Sequence, residues 1–191
     1  MSTTFLLVRH GQTHWNAARR TLGQNDSAMT QTGIDSIRSL SEKLKRLDIR
    51  ACYSSDLGRA RHSASIIATA LGMPFAVDGR LREQNKGLFE GKTKEEILID
   101  YSVQFAAFKQ NRHDYIIPLG ESRSQRAKQC VEFLVETSPR YPDSTVVVIT
   151  HCGVIEGLRC ELRAPEANTA CAGVNRVLVT EGAIEFARFS I

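Results

Sequence analysis

Short unbroken apolar runs alternate along this chain with segments in which apolar residues return every three or four positions. Phe5–Val8 is the first such run and "TVVVIT", Thr145–Thr150, the clearest. Both have the length of strands buried on two faces, and the second also has their β-branched content. Between them Ile34, Ile37, Leu40, Leu44 and Leu47 recur at three- and four-residue steps, which predicts one amphipathic helix of about 16 residues. A short strand is expected near Ile49–Tyr53. A helix from about Leu57 to Leu71 follows, with Ala60, Ala64, Ile67 and Leu71 on its inner face; Gly72 and Pro74 end it. Phe75–Val77 reads as a weak strand. Ser122 with Gln125 forms a capping-box pattern opening a helix to about Ser138, and a short helix is expected over Val154–Leu162. Arg176–Val179 and Ile184–Phe189 are expected to pair around a Glu181-Gly182 turn. The stretch from Gly79 to Gly120 has no clear period and reads as irregular.

Strand–helix alternation of this kind predicts an α/β fold: a three-layer sandwich with a mostly parallel central sheet and helices on both faces. No internal repeat or linker divides it, so residues 1–191 are read as a single domain, with a short cap insertion at about 91–119. In such sheets ligands lie at the carboxyl ends of the strands. Polar clusters follow three of the predicted strands directly: Arg9-His10-Gly11, then Ser54 to Arg59, then His151. Two histidines and two arginines can thus converge on one pocket.

Composition narrows the function classes. At 191 residues, 42% hydrophobic and 24% charged, the chain has the material for one sizeable core. No stretch approaches the roughly 20 apolar residues of a membrane span. The N-terminus lacks the basic-then-apolar pattern of a signal peptide, so a cytoplasmic protein is expected. The five cysteines are an odd number with no C-x-x-C pair, which suits reduced thiols rather than a disulfide framework or zinc ribbon. A net charge of +4 without basic clusters and interleaved aromatics argues against nucleic acid and suits a small anionic substrate.

The converging residues favour a phosphoryl group. Guanidinium forks bind phosphate oxygens bidentately at any working pH. A neutral imidazole is nucleophilic enough to attack phosphorus, and a second histidine can donate a hydrogen bond as charge builds. An acid for the leaving alkoxide is still needed, and Asp78, Glu83, Glu90 and Glu121 are the carboxylates in the right region. A metal reading of His10 with His14 is weak, because no carboxylate stands at ligand spacing.

Five segments in order, "LLVRHGQTHWN", "YSSDLGRARHSA", "LREQNKGLFEG", "PLGES" and "VVVITHCGVI", resemble the successive motifs of the histidine phosphatase superfamily, the phosphoglycerate-mutase-like fold. The resemblance implies that His10 becomes phosphohistidine. It implies a phosphate pocket of Arg9, Arg59 and His151, with Asn16 as a further phosphate-side contact. Glu83 would be the proton donor and then the base for water, so the catalytic set is His10, Glu83 and His151. Gln24, Phe89, Glu121 and Cys152 are the candidates to line the substrate pocket, and no cofactor or metal is implied. Cys152 stands where the family more often has glycine or serine; it reads as a small buried hydrophobe or an oxidation-sensitive thiol. The loop "GQNDSAMTQTG" departs from the commoner D-x-P-L-T pattern. The insertion that marks cofactor-dependent mutases is missing from Gly91–Pro118, where Tyr101, Phe105, Phe108 and Tyr115 either meet substrate or fill the cap's own core. Lys109, Arg112 and His113 either meet a second anionic group or are solvated.

The expected function is therefore phosphomonoester hydrolysis. The partner expected is a small phosphorylated metabolite, as for broad-specificity or alpha-ribazole phosphatases. The alternatives are mutase-type transfer, a protein or phosphopeptide phosphatase, and a non-catalytic phosphate binder. No membrane or nucleic-acid partner is expected, and a homodimer is left open.

Overall fold

The computed structural model describes residues 1–164 and 166–187. Chain order is β1 (Ser2–Arg9), α1 (His14–Ala17), α2 (Gln31–Leu44), β2 (Ile49–Ser54), α3 (Gly58–Leu71), β3 (Ala76–Val77), α4 (Lys94–Asp100), α5 (Ser102–Gln110), α6 (Arg123–Thr137), β4 (Ser144–Thr150), α7 (Cys152–Glu161), β5 (Val174–Thr180) and β6 (Ala183–Ala187). The strands form one sheet in the order β3-β2-β4-β1-β5-β6. β3, β2, β4 and β1 run parallel, and the β5–β6 hairpin adds two antiparallel strands at one edge.

The apolar runs become the two central strands because their side chains are buried alternately on both faces. Leu6, Val8, Val147 and Ile149 pack against Ile37, Leu40 and Leu44 of α2 and Ala60, Ala64 and Ile67 of α3. Phe5, Leu7, Val146 and Val148 pack against Cys130, Phe133 and Leu134 of α6 and Val154, Ile155 and Leu158 of α7. The expected three-layer α/β architecture is the one observed.

Local chemistry moves several boundaries. Thr30 caps α2, its hydroxyl accepting from the Gly33 N–H at 3.0 Å; the helix runs over Gln31–Leu44, 14 residues against the expected stretch of about 16, and Leu47, read on its apolar face, falls just past its end. Helix α7 begins at Cys152, two residues earlier than expected and directly after His151. The 79–120 stretch is not irregular throughout. Thr93 and Glu96 form a capping box that starts α4, and α5 follows. Around Phe89 the rings of Tyr101, Phe105 and Phe108 stand 5.9–6.4 Å away, centre to centre, so these aromatics pack against one another. The Ser122–Gln125 capping box and the hairpin turn form as expected. Glu181 and Gly182 both adopt positive φ, 50° and 83°, as a two-residue hairpin turn requires. Phe189, the end of the expected last strand, lies outside the described residues. Among the described residues no helix is long and apolar enough to cross a membrane.

Candidate active site

The register of β1 on β4 creates the site. Arg9 lies opposite Thr150, so the next residue on each strand, His10 and His151, leaves the sheet beside the other. The His10 N–H donates to the Thr150 carbonyl at 3.1 Å, and the two imidazoles stand 5.2 Å apart, centre to centre. On the far side of β4, β2 ends at Ser54 and the chain turns into α3, whose second residue is Arg59. All three side chains therefore meet at the carboxyl ends of parallel strands, where such sheets bind ligands.

The environment of His10 sets its tautomer. Its Nδ1 lies 2.8 Å from the Gly11 carbonyl, which can only accept, so Nδ1 carries the proton. The lone pair is then on Nε2, which accepts from Arg59 Nε at 3.3 Å. Burial and the Arg59 guanidinium hold the ring well below the ordinary histidine pKa of 6.5. The result is a buried, neutral imidazole with its nucleophilic nitrogen turned toward a cation.

Arg59 is fixed by the loop between α1 and α2. Its Nη1 donates to the Asn25 carbonyl at 2.7 Å and to Asp26 Oδ1 at 3.3 Å, and its Nη2 donates to the Gly23 carbonyl at 2.7 Å. With the His10 bond, these contacts commit four of the five guanidinium N–H groups and leave one for a ligand. Asp26 also accepts from the Arg59 backbone N–H at 3.2 Å. Asp26 is thus a positioning residue that the sequence did not reveal, although it lies in the loop that departs from the family pattern.

His151 and Arg9 carry the unspent hydrogen-bonding capacity. His151 is fully buried, yet neither ring nitrogen has a protein partner. Arg9 donates from Nη1 to the Thr169 carbonyl, and its buried Nε has no partner. Unpaired buried polar groups cost about 1–3 kcal/mol each. An anion with several acceptor oxygens would relieve that cost at Arg9, and at His151 through a donated ring N–H. Burial, then Arg59 and His10, hold His151 far below its usual pKa as well.

Both depressions carry a stability consequence. The unfolded chain takes up protons on these two rings as pH falls through about 6.5, while the folded chain does not, so folded stability drops as pH falls. Each ring contributes a limiting slope of about 1.4 kcal/mol per pH unit below that point. Urea unfolding at pH 7.5, 6.5 and 5.5 should show a steepening loss that is reduced in His151→Asn. A flat profile across that range contradicts the assignment.

Glu83 reaches the same place from a different element. It follows the single helical turn Gly79–Leu81, is 8% exposed, and rests on the start of α7. Its Oε1 accepts from the Gln84 N–H at 2.8 Å and its Oε2 from the Gly153 N–H at 3.1 Å. A Cβ on Gly153 would come within 2.1 Å of Oε1, so only glycine leaves room for the carboxylate there. We expect Gly153→Ala to displace Glu83 and, if Glu83 serves as a positioned acid, to lower kcat about 100-fold or more. A Gly153→Ala chain with native kcat contradicts this placement.

The family model described as histidine phosphatase superfamily (branch 1) matches residues 5–189. The chain belongs to this superfamily. A protein named "Probable phosphoglycerate mutase GpmB" from Erwinia tasmaniensis is 36% identical over 145 residues, 76% of this chain and 67% of that protein. The same-named protein of Yersinia pestis aligns over only 57% of its length. Among solved structures, Bacillus stearothermophilus YhfR superposes with a TM-score of 0.86 at 32% identity, covering 97% of this chain and 95% of that one. Native mycobacterial glucosyl-3-phosphoglycerate phosphatase gives a TM-score of 0.82 at 28% identity over 97% of both chains.

The remaining sequence-predicted residues of this superfamily member differ in how they are placed. Asn16 uses its carboxamide oxygen to accept from the Thr13 N–H at 3.1 Å, which leaves its NH2, the end a phosphate would take. Gln24 bridges the Glu83 carbonyl at 3.2 Å and Glu121 Oε1 at 3.3 Å. Glu121 is engaged by Arg126, Asn85 and Gln24, so it ties loops together rather than standing free for a ligand. Phe89 is buried at the centre of the aromatic cluster of the 87–120 segment. Cys152 opens α7 half-buried; burial and the nearby Glu83 push its thiol up, so it is the small apolar neighbour of the site rather than an activated nucleophile. His14, His62, Lys109 and Arg112 are exposed, and His113 pairs with Glu161 at 3.0 Å. Among the described residues no cluster of His, Cys, Asp and Glu gathers as a cation site.

Proposed function

We propose that this histidine phosphatase hydrolyses small phosphomonoesters through a phosphohistidine on His10. The observation that carries the reading is the buried His10 imidazole, held in the Nδ1–H tautomer with Nε2 toward Arg59 and flanked by the unpartnered nitrogens of His151 and Arg9. In the first step His10 Nε2 attacks phosphorus, the bond to the ester oxygen breaks, and a protonated Glu83 gives its proton to that oxygen. In the second step Glu83, now a carboxylate, takes a proton from water as the water oxygen attacks phosphorus. The P–N bond breaks, inorganic phosphate leaves, and both groups return to their starting states. Arg9, Arg59, Asn16 and His151 hold the transferring oxygens, where fixed donors act on the charge that develops. The process divides one difficult displacement into two easier ones.

A phosphoglycerate mutase reading is favoured by the name of the Erwinia relative. Hydrolysis is supported by the full-length match to the mycobacterial phosphatase and by the 91–119 segment, which lacks the mutase-type stretch. The two are separated by incubating the chain with 3-phosphoglycerate, with and without a bisphosphoglycerate primer. The hydrolase reading expects stoichiometric inorganic phosphate. Primer-dependent isomerisation to 2-phosphoglycerate without phosphate release would overturn it.

A further inference from the structure

Two cations that the phosphoryl chemistry does not use stand near Glu83, one by sequence and one along the same face of α7. Lys86 follows it by three residues; its Nζ donates to the Gln84 carboxamide oxygen and lies 5.6 Å from the centre of the Phe108 ring. Arg123 is the first residue of α6, and its stem lies against α7, where a Cβ on Gly157 would come within 3.0 Å of Arg123 Cγ. Gly153 and Gly157 are four residues apart and share one face of α7, about 6 Å along its axis. Glu83 packs on the first glycine and Arg123 on the second, so they occupy consecutive turns of one helix face.

Neither cation has a close ionic partner among the described residues, and Glu83 and Glu121 act on Lys86 only from beyond ion-pair distance. Among the described residues neither Lys86 nor Arg123 is in an ion pair, and the buried Nε of Arg123 has no hydrogen-bond partner. Both Glu83 oxygens are occupied by backbone N–H groups. A cation in the first turn of a helix opposes the helix dipole, and α6 has no acidic residue in that turn to offset it. Burial lowers the Lys86 pKa; Glu83 opposes the shift and Arg123 adds to it, which puts the two positive charges within each other's field. An unpaired guanidinium N–H beside a second, partly desolvated cation is an arrangement that an anion relieves.

We propose that Lys86 and Arg123 bind a second anionic group carried by the alcohol portion of the substrate. The assignment rests on the hydrolase reading, because Glu83 there serves the oxygen that leaves, and cations close to Glu83 are then close to the alcohol it protonates. The preferred esters are then phosphates of hydroxy acids, or of alcohols bearing another phosphate, with the second charge within a few bonds of the ester oxygen. Lys109 and Arg112, further along the 87–120 segment, are exposed.

Matched substrates test this. 3-Phosphoglycerate and glycerol 3-phosphate differ by a carboxylate against a hydroxymethyl group; glycerol 1,3-bisphosphate and glycerol 3-phosphate differ by one phosphate. The native chain should prefer the more anionic member of at least one pair by tenfold or more in kcat/KM, and the pair concerned tells carboxylate from phosphate. Arg123→Leu and Lys86→Met should each cut that preference about tenfold, mainly through KM, and Arg123→Lys should restore part of it. No preference in the native chain overturns the proposal, as does a parallel fall in both members of a pair. Turnover of 4-nitrophenyl phosphate by each variant reports separately on the phosphoryl site. If the native chain releases phosphate from no ester, the hydrolase reading fails, and calorimetry still reads the subsite. There, 3-phosphoglycerate should bind His10→Ala at least tenfold more tightly than glycerol 3-phosphate, and equal affinities overturn the subsite as well.

Discussion

His10→Ala is expected to hydrolyse 4-nitrophenyl phosphate at least about 10⁴-fold more slowly than the native chain, the scale seen when a covalent nucleophile is removed. The reason is geometric. No other imidazole at the site combines a fixed Nδ1–H with an Nε2 lone pair facing Arg59. His151 has both nitrogens unpartnered and stands 5.2 Å away, ring to ring, so it lacks the bond that presets the attacking tautomer. The fold should survive the substitution, since removing a buried ring with a lowered pKa also removes an acid-side liability. A His10→Ala chain with more than a few per cent of native kcat would mean that another group attacks phosphorus.

Glu83→Gln is expected to have the second largest effect, and its size should depend on the leaving group. An alkoxide needs its proton as it departs, so kcat for an alkyl phosphate should fall about 10²–10⁴-fold. A nitrophenolate leaves without help, so phosphorylation of His10 by 4-nitrophenyl phosphate should be nearly unaffected. The later attack by water still lacks its base, and that substrate should therefore show a burst of nitrophenolate followed by a slow steady state. Equal losses for alkyl and aryl esters with no burst would remove Glu83 from the acid–base role. The pH profile adds a check. Because burial and Arg59 hold His10 well below 6.5, the acid limb of kcat/KM should lie below the ordinary histidine range. An acid limb at or above pH 6.5 contradicts the assignment.

The strands and long helices were legible because each element's burial is written into its period. Phe5–Val8 and Val146–Ile149 are apolar at every position, as both faces of a central strand demand, and the Ala60–Ala64–Ile67 spacing faces the sheet from α3. The site was legible for a related reason: the cationic side chains follow directly where parallel strands end. The short helices were missed because tertiary contacts, not periodicity, stabilise them. α4 spans only seven residues and buries only Ile97, although its Thr93-x-x-Glu96 capping box was there to be read. Asp26 was illegible because its partner, Arg59, lies 33 residues away and meets it only through the fold. The same holds for Gly153, whose missing side chain matters only because Glu83 is 70 residues distant in sequence and in contact in space. Phe89, a substrate-pocket candidate within the "LREQNKGLFEG" motif, has as ring neighbours Tyr101, Phe105 and Phe108, which the sequence pattern did not bring to it.

The central claim is that the phosphoryl group passes through His10. The direct measurement is to quench the chain within milliseconds of mixing with 4-nitrophenyl phosphate, digest it at neutral to alkaline pH, and map the phosphorylated peptide by mass spectrometry. The account predicts one acid-labile, base-stable phosphoramidate on His10, strongest in Glu83→Gln and missing in His10→Ala. Phosphate on His151 or on any other residue, or single-turnover hydrolysis with no phosphorylated His10 in Glu83→Gln, would contradict it.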